Sequence, residues 1–367
     1  MKKSFTLFII GTMASLQLAS CSGEAFDVDS INKQTILVYM PWSGSETTQK
    51  GLKDDIDSIS VAIRQNKGLK NARVLVMMSE NANENRLYEI TYNSATFLTE
   101  QMPITTYEGS DYATAAGMAR MLQDAYSHAE SLNYALIMGT RRYEASTVTA
   151  SPSINTETLG EGIKLSGKKM QYVFLDGSYM GTAAAAYDLR EATNFLIASS
   201  SEILADHIPY TTIWKSLNSA TPSYAGTVSS YCAYFSATEK PFATLTAIDC
   251  RQIEQLSILM KELNSQYSAS ADVLAKTQHM DKFSPTVFYD LGDYVDSLKV
   301  GNSLYNRIRL QLSATVKASQ ATAKLLTTAS RDTIAIHHYS GITFCDPSTN
   351  AAVTESKSKT AWWKATH

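Results

Sequence analysis

Residues 172–189 read YVFLDGSYMGTAAAAYDL, an apolar run that breaks at Asp176-Gly177-Ser178 and continues as an alanine-rich segment. A short continuous apolar run is typical of a strand covered on both faces. The alanines favour a helix, which is predicted at residues 179–194. Strand, turn and helix in this order form the repeating unit of a parallel sheet. The polar residues of the turn are therefore expected at the carboxyl end of a strand, where such sheets bind ligands.

Further apolar runs extend this pattern along the first half of the chain. Four of them have the same character, and they lie at 35–40, 73–78, 134–138 and 195–198. Leu52, Ile56 and Ile59 follow helical spacing and predict a helix over 49–66. Residues 143–166 are rich in Ser, Thr, Glu and Gly and are expected to form a long loop. Alternating strands and helices predict an α/β protein with a mostly parallel sheet covered by helices on both faces.

The second half of the chain is mixed. A strand is predicted at 242–248, and Asp249 can cap the helix that follows. A second helix is predicted at about 302–325, and residues 333–336 and 341–344 are expected to form a closing pair of strands. The sequence shows no linker that would separate the two halves.

The N-terminus is predicted to be a lipoprotein export signal. A basic start, Met1-Lys2-Lys3, precedes an apolar stretch that is too short and too interrupted for a spanning helix. A buried N-terminal helix is the alternative. Leu18-Ala19-Ser20-Cys21 resembles the bacterial lipobox, in which the cysteine becomes the lipidated first residue. We therefore predict a signal peptide at 1–20, and a lipidated Cys21 with a polar tether at 21–33. The folded part is expected in the cell envelope, lipid-anchored outside the cytoplasm.

Composition restricts the classes of partner. The 367 residues are 44% hydrophobic and 18% charged, which is typical of a globular chain with a sizeable core. The net charge of −3 provides no basic excess for binding phosphates, so no nucleic-acid partner is expected. Cys232, Cys250 and Cys345 lie outside any Cys/His cluster and are expected to be buried as small hydrophobes. The adjacent His337-His338 would point to opposite faces of a strand, and no metal site is predicted.

Residues 174–189 resemble the nucleophile segment of the clostripain family of cysteine peptidases. That family shows Asp-Ala-Cys-x-Met-Gly, followed by a helix containing Ala-Tyr-Glu-Leu. Later segments are similar to further landmarks of the family in the same order: Ala198-Ser199, Pro209-Tyr210, Tyr289-Asp290-Leu291, Ser340-Gly341-Ile342 and Trp362-Trp363. The resemblance covers residues 34–367 and implies a caspase-like α/β/α sandwich. Residues 34–235 would form the caspase-like domain, and residues 236–367 a mixed α/β region that completes the fold.

The resemblance also shows where this sequence departs from the family. The family mechanism uses a Cys thiolate and a His at the ends of adjacent strands. Here Ser178 occupies the Cys position and Arg141 the His position, and the glycines that follow the family His are absent. An arginine cannot accept a proton, so no catalytic residue is expected. Two alternatives remain open: a hydrolase that uses Ser178 with a distant base such as His207, and a structural component of the cell surface.

Asp176 is retained, and the resemblance associates it with a pocket for a basic side chain. It is expected either to bind Lys or Arg of a partner or to pair internally with Arg141 or Arg142. The predicted function is therefore a lipid-anchored, inactive homologue that binds a peptide or protein in the old substrate cleft. Clostripain is linked to calcium, but the sequence shows no Asp-x-Asp-x-Asp-Gly loop. No cofactor is predicted, and calcium stays open through the resemblance alone.

Overall fold

The computed structural model describes residues 32–42, 44–139, 155–203, 208–327 and 332–367. In chain order, the first half contains β1 (Gln34–Met40), α1 (Glu46–Gln65), β2 (Ala72–Ser79), β3 (Glu84–Asn93), β4 (Leu98–Glu108), α2 (Ala115–His128), β5 (Asn133–Gly139), α3 (Thr156–Leu165), β6 (Met170–Asp176), α4 (Ala183–Asp188) and β7 (Thr193–Ala198). The second half contains α5 (Tyr210–Leu217), α6 (Tyr224–Ser236), β8 (Thr244–Asp249), α7 (Ile253–Gln266), α8 (Ala271–Lys276), β9 (Tyr289–Asp290), α9 (Leu291–Ser297), α10 (Asn302–Thr315), β10 (Val316–Ala321), β11 (Lys324–Leu326), β12 (Thr333–Ala335), β13 (Thr343–Phe344), α11 (Ala351–Lys357) and α12 (Ala361–Thr366).

Within the part of the chain that the structure describes, nine strands form one central sheet in the order β10-β8-β7-β6-β5-β1-β2-β3-β4. The five inner strands, from β7 to β2, are mutually parallel. They are the five apolar runs of the sequence, so the predicted mostly parallel sheet is confirmed. Antiparallel strands flank it on both sides, and β8 and β10 come from the second half of the chain.

Helices cover both faces of the sheet, and each face has its own core. One core joins the sheet to α1, α5 and α6, and its largest buried side chain is Trp214. The other joins the sheet to helices that include α2, α7, α10 and α12, with Trp362 buried among them. Burying apolar side chains on both faces explains why the inner strands are continuous apolar runs rather than alternating ones. Within the described residues, no helix combines the length and hydropathy needed to cross a bilayer.

Two predicted elements of the first half are wrong in extent. The expected loop at 143–166 contains α3, which Asn155 caps by accepting from the Thr158 N–H. Its two glycines weaken the helical signal, yet Gly160 is required there because a Cβ would lie 2.8 Å from the main-chain oxygen of Asp188. The helix expected at 179–194 is limited to α4, since Tyr179 has a positive φ of 58°. Between β4 and α2, residues Asp111–Ala113 form a short 3-10 turn.

The second half differs from prediction more strongly. The helix expected at 302–325 ends at Thr315, and the chain continues as β10, which pairs with β8. The two closing strands form but do not pair with each other, since β12 pairs with β11 and β13 with β9. The helices α5 and α6 were not predicted at all. The pairings of β10 with β8 and of β13 with β9 join segments distant in sequence, which local periodicity does not encode.

Candidate functional site

The site loop, residues 176–181, connects β6 to α4 at the carboxyl edge of the parallel strands. Gly139, the last residue of β5, lies opposite Asp176 in the sheet register. Arg141, Arg142 and His207 lie outside the described residues. The expected proximity of Arg141 to Ser178 therefore stays a prediction.

Main-chain hydrogen bonds fix the site loop to two neighbouring segments. The N–H of Tyr179 donates to Ser201 O at 3.0 Å, and that of Gly181 donates to Ser199 O at 2.8 Å. The carbonyl of Gly181 accepts from the N–H and hydroxyl of Thr343 at 3.0 and 3.1 Å. The Ser200 hydroxyl also donates to that carbonyl. The loop is thus held by the residues after β7 and by β13 of the C-terminal part.

Tyr179 anchors the turn. Its backbone is left-handed, with a φ of 58°, which is uncommon for a residue with a large side chain. The ring is buried and stacks on Phe288, with centroids 4.9 Å apart and planes 8° from parallel. It also contacts Phe283 in the same small core, which includes Met280 and Val287. This burial offsets the conformational strain of roughly 1–3 kcal/mol and keeps the turn in one geometry.

Ser178 occupies the nucleophile position of this turn. Its side chain is enclosed, with only 8% of the residue exposed. Its Oγ accepts a hydrogen bond from the Ile203 N–H at 3.0 Å. Across the described residues, neither a histidine nor a carboxylate hydrogen-bonds to it. A serine nucleophile requires a base that takes its proton, whereas the partner seen here is a donor.

Asp176 lies at the end of β6 and is 1% exposed. A carboxylate enclosed to this extent requires opposite charge or hydrogen-bond donors, because desolvation strongly disfavours an isolated charge. Such enclosure favours internal pairing over capture of a basic side chain that arrives from solvent.

None of the three cysteines outside the export signal is in a state suited to nucleophilic attack. All three are free; Cys232 and Cys250 are buried, and Cys345 is partly buried. Burial raises the pKa of Cys232 and of Cys345 to about 12, and it raises the pKa of Cys250 as well. The thiols therefore stay protonated at neutral pH, and the reactive thiolate does not form. None of these three positions therefore provides a thiolate nucleophile.

A cleft of about 410 Å³ opens beside the site loop. Its walls come from the strand ends, the loop and the C-terminal segment, and they include Met138, Leu175, Tyr179, Met180, Phe344 and Trp362. We call it the cleft. Ser178 and Asp176 do not line it. The lining is mainly apolar, which suits an apolar ligand surface with a few polar contacts.

Asp346 and Lys357 are two of the charged residues that line the cleft. The indole N–H of Trp362 donates to Asp346 Oδ2 at 2.9 Å, and burial raises the pKa of Asp346 to about 6. The Lys357 ammonium donates to the carbonyls of Asp346 and Ser348, and burial lowers its pKa. The sequence analysis did not identify Asp346 and Lys357 as residues of the cleft, although the Trp362-Trp363 landmark pointed to this region.

The fold and the site loop are those of a caspase-like α/β/α protein, in which the loop after a parallel strand holds the position of the peptidase nucleophile. The model of the clostripain family matches residues 38–355, and the chain belongs to that family. The family and the caspase-like fold predicted from the sequence are therefore confirmed.

Solved structures support this assignment. A secreted C11 cysteine protease from Bacteroides thetaiotaomicron, iotapain, is 28% identical with a TM-score of 0.84, covering 92% of this chain and 100% of its own. An inactive zymogen C11 protease from Parabacteroides distasonis, at 18% identity and a TM-score of 0.79 over 92% of this chain and 99% of its own, shares the fold. A clostripain from Bacteroides thetaiotaomicron, in complex with a peptide inhibitor, is 34% identical with a TM-score of 0.57, covering 60% of this chain and 98% of its own. No curated protein matches the chain.

Proposed function

We propose that this protein is a lipid-anchored clostripain-family homologue without peptidase activity, which binds a peptide or protein segment in the cleft. The observation that carries the proposal is the environment of Ser178. A hydroxyl stands at the nucleophile position, and its oxygen accepts from the Ile203 N–H. An oxygen that accepts a hydrogen bond is a weaker nucleophile than one whose proton is passing to a base.

The residue at the position of the family histidine supports the loss of peptidase activity. Arg141 aligns with the family His and is permanently protonated, so it cannot act as a general base. General-base assistance is usually worth about 10²–10⁴-fold in rate. Loss of both base and thiol is expected to leave peptide cleavage at background.

The shape of the cleft supports a binding role. Its volume of about 410 Å³ leaves room for one or two side chains of a ligand and argues against a purely structural surface component. The clostripain with 34% identity is described in complex with a peptide inhibitor, and a shared fold makes a peptide the natural ligand class. Asp346 and Lys357 would orient the ligand backbone beside the apolar walls.

The lipid anchor rests on the segment that ends at Cys21. The similar protease iotapain is described as secreted, which agrees with export of this chain. Several acyl chains on a lipidated cysteine, at about 0.8 kcal/mol per buried CH₂, would hold the protein firmly to a membrane. The binding cleft would then face the aqueous phase outside the cytoplasm.

A Ser178 hydrolase is the second candidate, and one observation favours it. Ile203 hydrogen-bonds to Ser178, and His207 follows Ile203 by four residues in the sequence. A base supplied by His207 would activate the Ser178 hydroxyl.

Peptide cleavage by the purified full-length protein distinguishes the two candidates. Fluorogenic peptides containing Lys or Arg are incubated with the unmutated protein, Ser178→Ala and His207→Ala. We expect background cleavage in all three. Cleavage by the unmutated protein that disappears in Ser178→Ala would replace the inactive homologue with a serine hydrolase. Additional loss in His207→Ala would identify the base.

Peptide binding in the cleft is tested by a substitution whose larger side chain fills the cleft. Ala184 lines the cleft, so Ala184→Phe is expected to lower retention of a defined peptide library by immobilised protein at least tenfold. Ala271 lies exposed on α8 and provides the matched control, Ala271→Phe, which should retain the library normally. Equal retention by both variants would contradict binding in the cleft.

A further inference from the structure

A group of metal-ligating side chains lies on α9, outside the site described above. Asp293 and Asp296 are three residues apart and share one face of this helix. His338 follows β12, which ends at Ala335, and reaches the same face. One ligand atom from each of the three residues lies within 4.8 Å of the other two, and His338 Nε2 is 3.7 Å from Asp293 Oδ1.

One shielded carboxylate oxygen of this group has no hydrogen-bond partner among the described residues, and a second faces the His338 imidazole at 3.7 Å. The Asp293 side chain is only 9% exposed; its Oδ2 accepts from the Gln278 N–H, whereas its Oδ1 faces His338. Asp296 Oδ1 is shielded from solvent and has no hydrogen-bond partner in the described chain. A shielded acceptor without a donor keeps an uncompensated desolvation penalty, which is larger when the group is charged. A cation held by this group would provide a partner for Asp296 Oδ1.

Among the described residues, neighbouring side chains do not supply a hydrogen-bond donor to Asp296 Oδ1. Arg309 Nη1 is 3.9 Å from Asp296 Oδ2, and Tyr305 also interacts with Asp296, but neither donates to Oδ1. Both ring nitrogens of the nearby His279 are already used, by Leu274 O at 2.9 Å and by Thr286 Oγ1 at 3.1 Å. His279 is therefore not a ligand.

A cavity of about 250 Å³ adjoins Asp293 and His338. It has room for the water molecules that complete a coordination shell around three protein ligands. Asp281 also lines it, but that carboxylate accepts the N–H groups of Phe283, Val287 and Phe288 and is already occupied.

We propose that Asp293, Asp296 and His338 bind one divalent transition-metal ion of the Zn²⁺ type. One imidazole and two carboxylates form a mixed nitrogen and oxygen set that suits Zn²⁺, whereas Ca²⁺ takes six to eight oxygens. Ligands at about 2.0–2.1 Å around a tetrahedral ion are roughly 3.4 Å apart. The separation of 3.7 Å needs only a small movement of His338, which is 60% exposed.

Such an ion would brace the site loop from the C-terminal side. Tyr339 follows His338, and its hydroxyl donates to Ser200 Oγ at 3.0 Å. Ser200 in turn donates to the carbonyl of Gly181 in the site loop. A bound ion fixes His338 against α9 and thereby fixes this hydrogen-bonded chain. The ion acts structurally and takes no part in a reaction.

Calorimetric titration of the untagged full-length protein in detergent, stripped with EDTA and desalted, tests the site. ZnCl₂ and CaCl₂ are titrated separately. We expect one Zn²⁺ per chain, bound more tightly than Ca²⁺, and a rise in melting temperature with ZnCl₂. Asp296→Asn and His338→Ala should each weaken Zn²⁺ binding at least tenfold, since even outer-shell changes cost 10–100-fold. His338 is exposed, so its removal should leave the fold intact.

The matched control is His128→Ala. His128 also lies beside a carboxylate, Glu89, at 3.1 Å, but Arg73 already forms an ion pair with that carboxylate. Zn²⁺ binding is expected to be unchanged in this variant. The proposal is overturned by a wild-type protein that binds no Zn²⁺, by preference for Ca²⁺, or by equal Zn²⁺ affinity in wild type, Asp296→Asn and His338→Ala.

Discussion

At the scale of single residues, the hydrogen bond between Ile203 and Ser178 defines the environment of the nucleophile position. Ser178 Oγ accepts from a main-chain N–H, so its oxygen is engaged by a donor in the described structure. Tyr179, the next residue, is locked by stacking on Phe288, which prevents the turn from adjusting freely. Restoring a thiol at position 178 alone is therefore not expected to restore cleavage, since paired catalytic groups act as a unit.

Asp346 gives a pH-dependent prediction. Burial raises its pKa to about 6 from the usual 3.8, so the folded protein keeps a proton that the unfolded chain has lost. The free energy of unfolding should therefore fall as pH rises from about 4 to 6 and stay level above that, by roughly 2 kcal/mol for this group. Asp346→Asn keeps an acceptor for Trp362 and should remove this part of the slope.

Urea denaturation at pH 4, 5, 6 and 7 measures the effect of Asp346→Asn. Part of the slope should remain, because burial raises the pKa of Asp281 to about 6 as well. The exposed Glu100→Gln serves as a control with an unchanged profile. A profile of Asp346→Asn identical to that of the unmutated protein would contradict the assignment of the raised pKa.

At the scale of elements, close backbone contacts decide where helices begin. Thr114 caps α2 by accepting from the Gly117 N–H at 3.0 Å. This brings the first turn against the preceding 3-10 turn, and a Cβ on Gly117 would lie 2.1 Å from the Asp111 carbonyl oxygen. Such a contact cannot be relieved by rotating a side chain.

We expect Gly117→Ala to destabilise the protein. In an ordinary helix, alanine in place of glycine stabilises by about 1 kcal/mol. Here the clash with Asp111 O should reverse the sign and lower the free energy of unfolding by about 1–3 kcal/mol. Chemical denaturation measures it, with Ser127→Ala on the exposed face of the same helix as control. A gain in stability for Gly117→Ala would show that the 3-10 turn moves readily.

At the scale of the whole molecule, the two halves of the chain share one sheet. Strand β8 pairs with β7, and β10 pairs with β8. Two strands of the second half therefore extend the sheet beyond β7, the outermost parallel strand of the first half. Thr343, far along the chain, also holds Gly181 of the site loop. Removing the C-terminal part would therefore expose the edge of β7 and loosen the site loop.

The anchor is also a property of the whole protein. If Cys21 is the lipidated residue, Cys21→Ala should abolish labelling with radioactive palmitate and move the protein from the membrane fraction to the soluble fraction. Cys345→Ala, which removes a different cysteine, should remain labelled and membrane-bound. Labelling and fractionation of Cys21→Ala like those of the unmutated protein would disprove the lipobox assignment.

The sequence by itself determined the parallel centre of the sheet, because strands buried on both faces must be continuous apolar runs. It also determined the family, since the segment around Ser178 carries that resemblance locally. It could not predict β10, because residues 316–321 become a strand only by pairing with β8. It could not predict α3 either, since the glycines that weaken its helical signal pack closely against Asp188 of α4 and Met118 of α2.

Only the tertiary structure decided how the site residues are used. The partner of Ser178 is Ile203, 25 residues away, and their contact depends on the neighbouring ends of β6 and β7. Asp293 and His338 are 45 residues apart in the sequence. Only the packing of the segment after β12 against α9 brings them to within 3.7 Å of each other. Hydrogen-bond partners and burial are set by the packing of distant segments, and no local pattern of residue types specifies them.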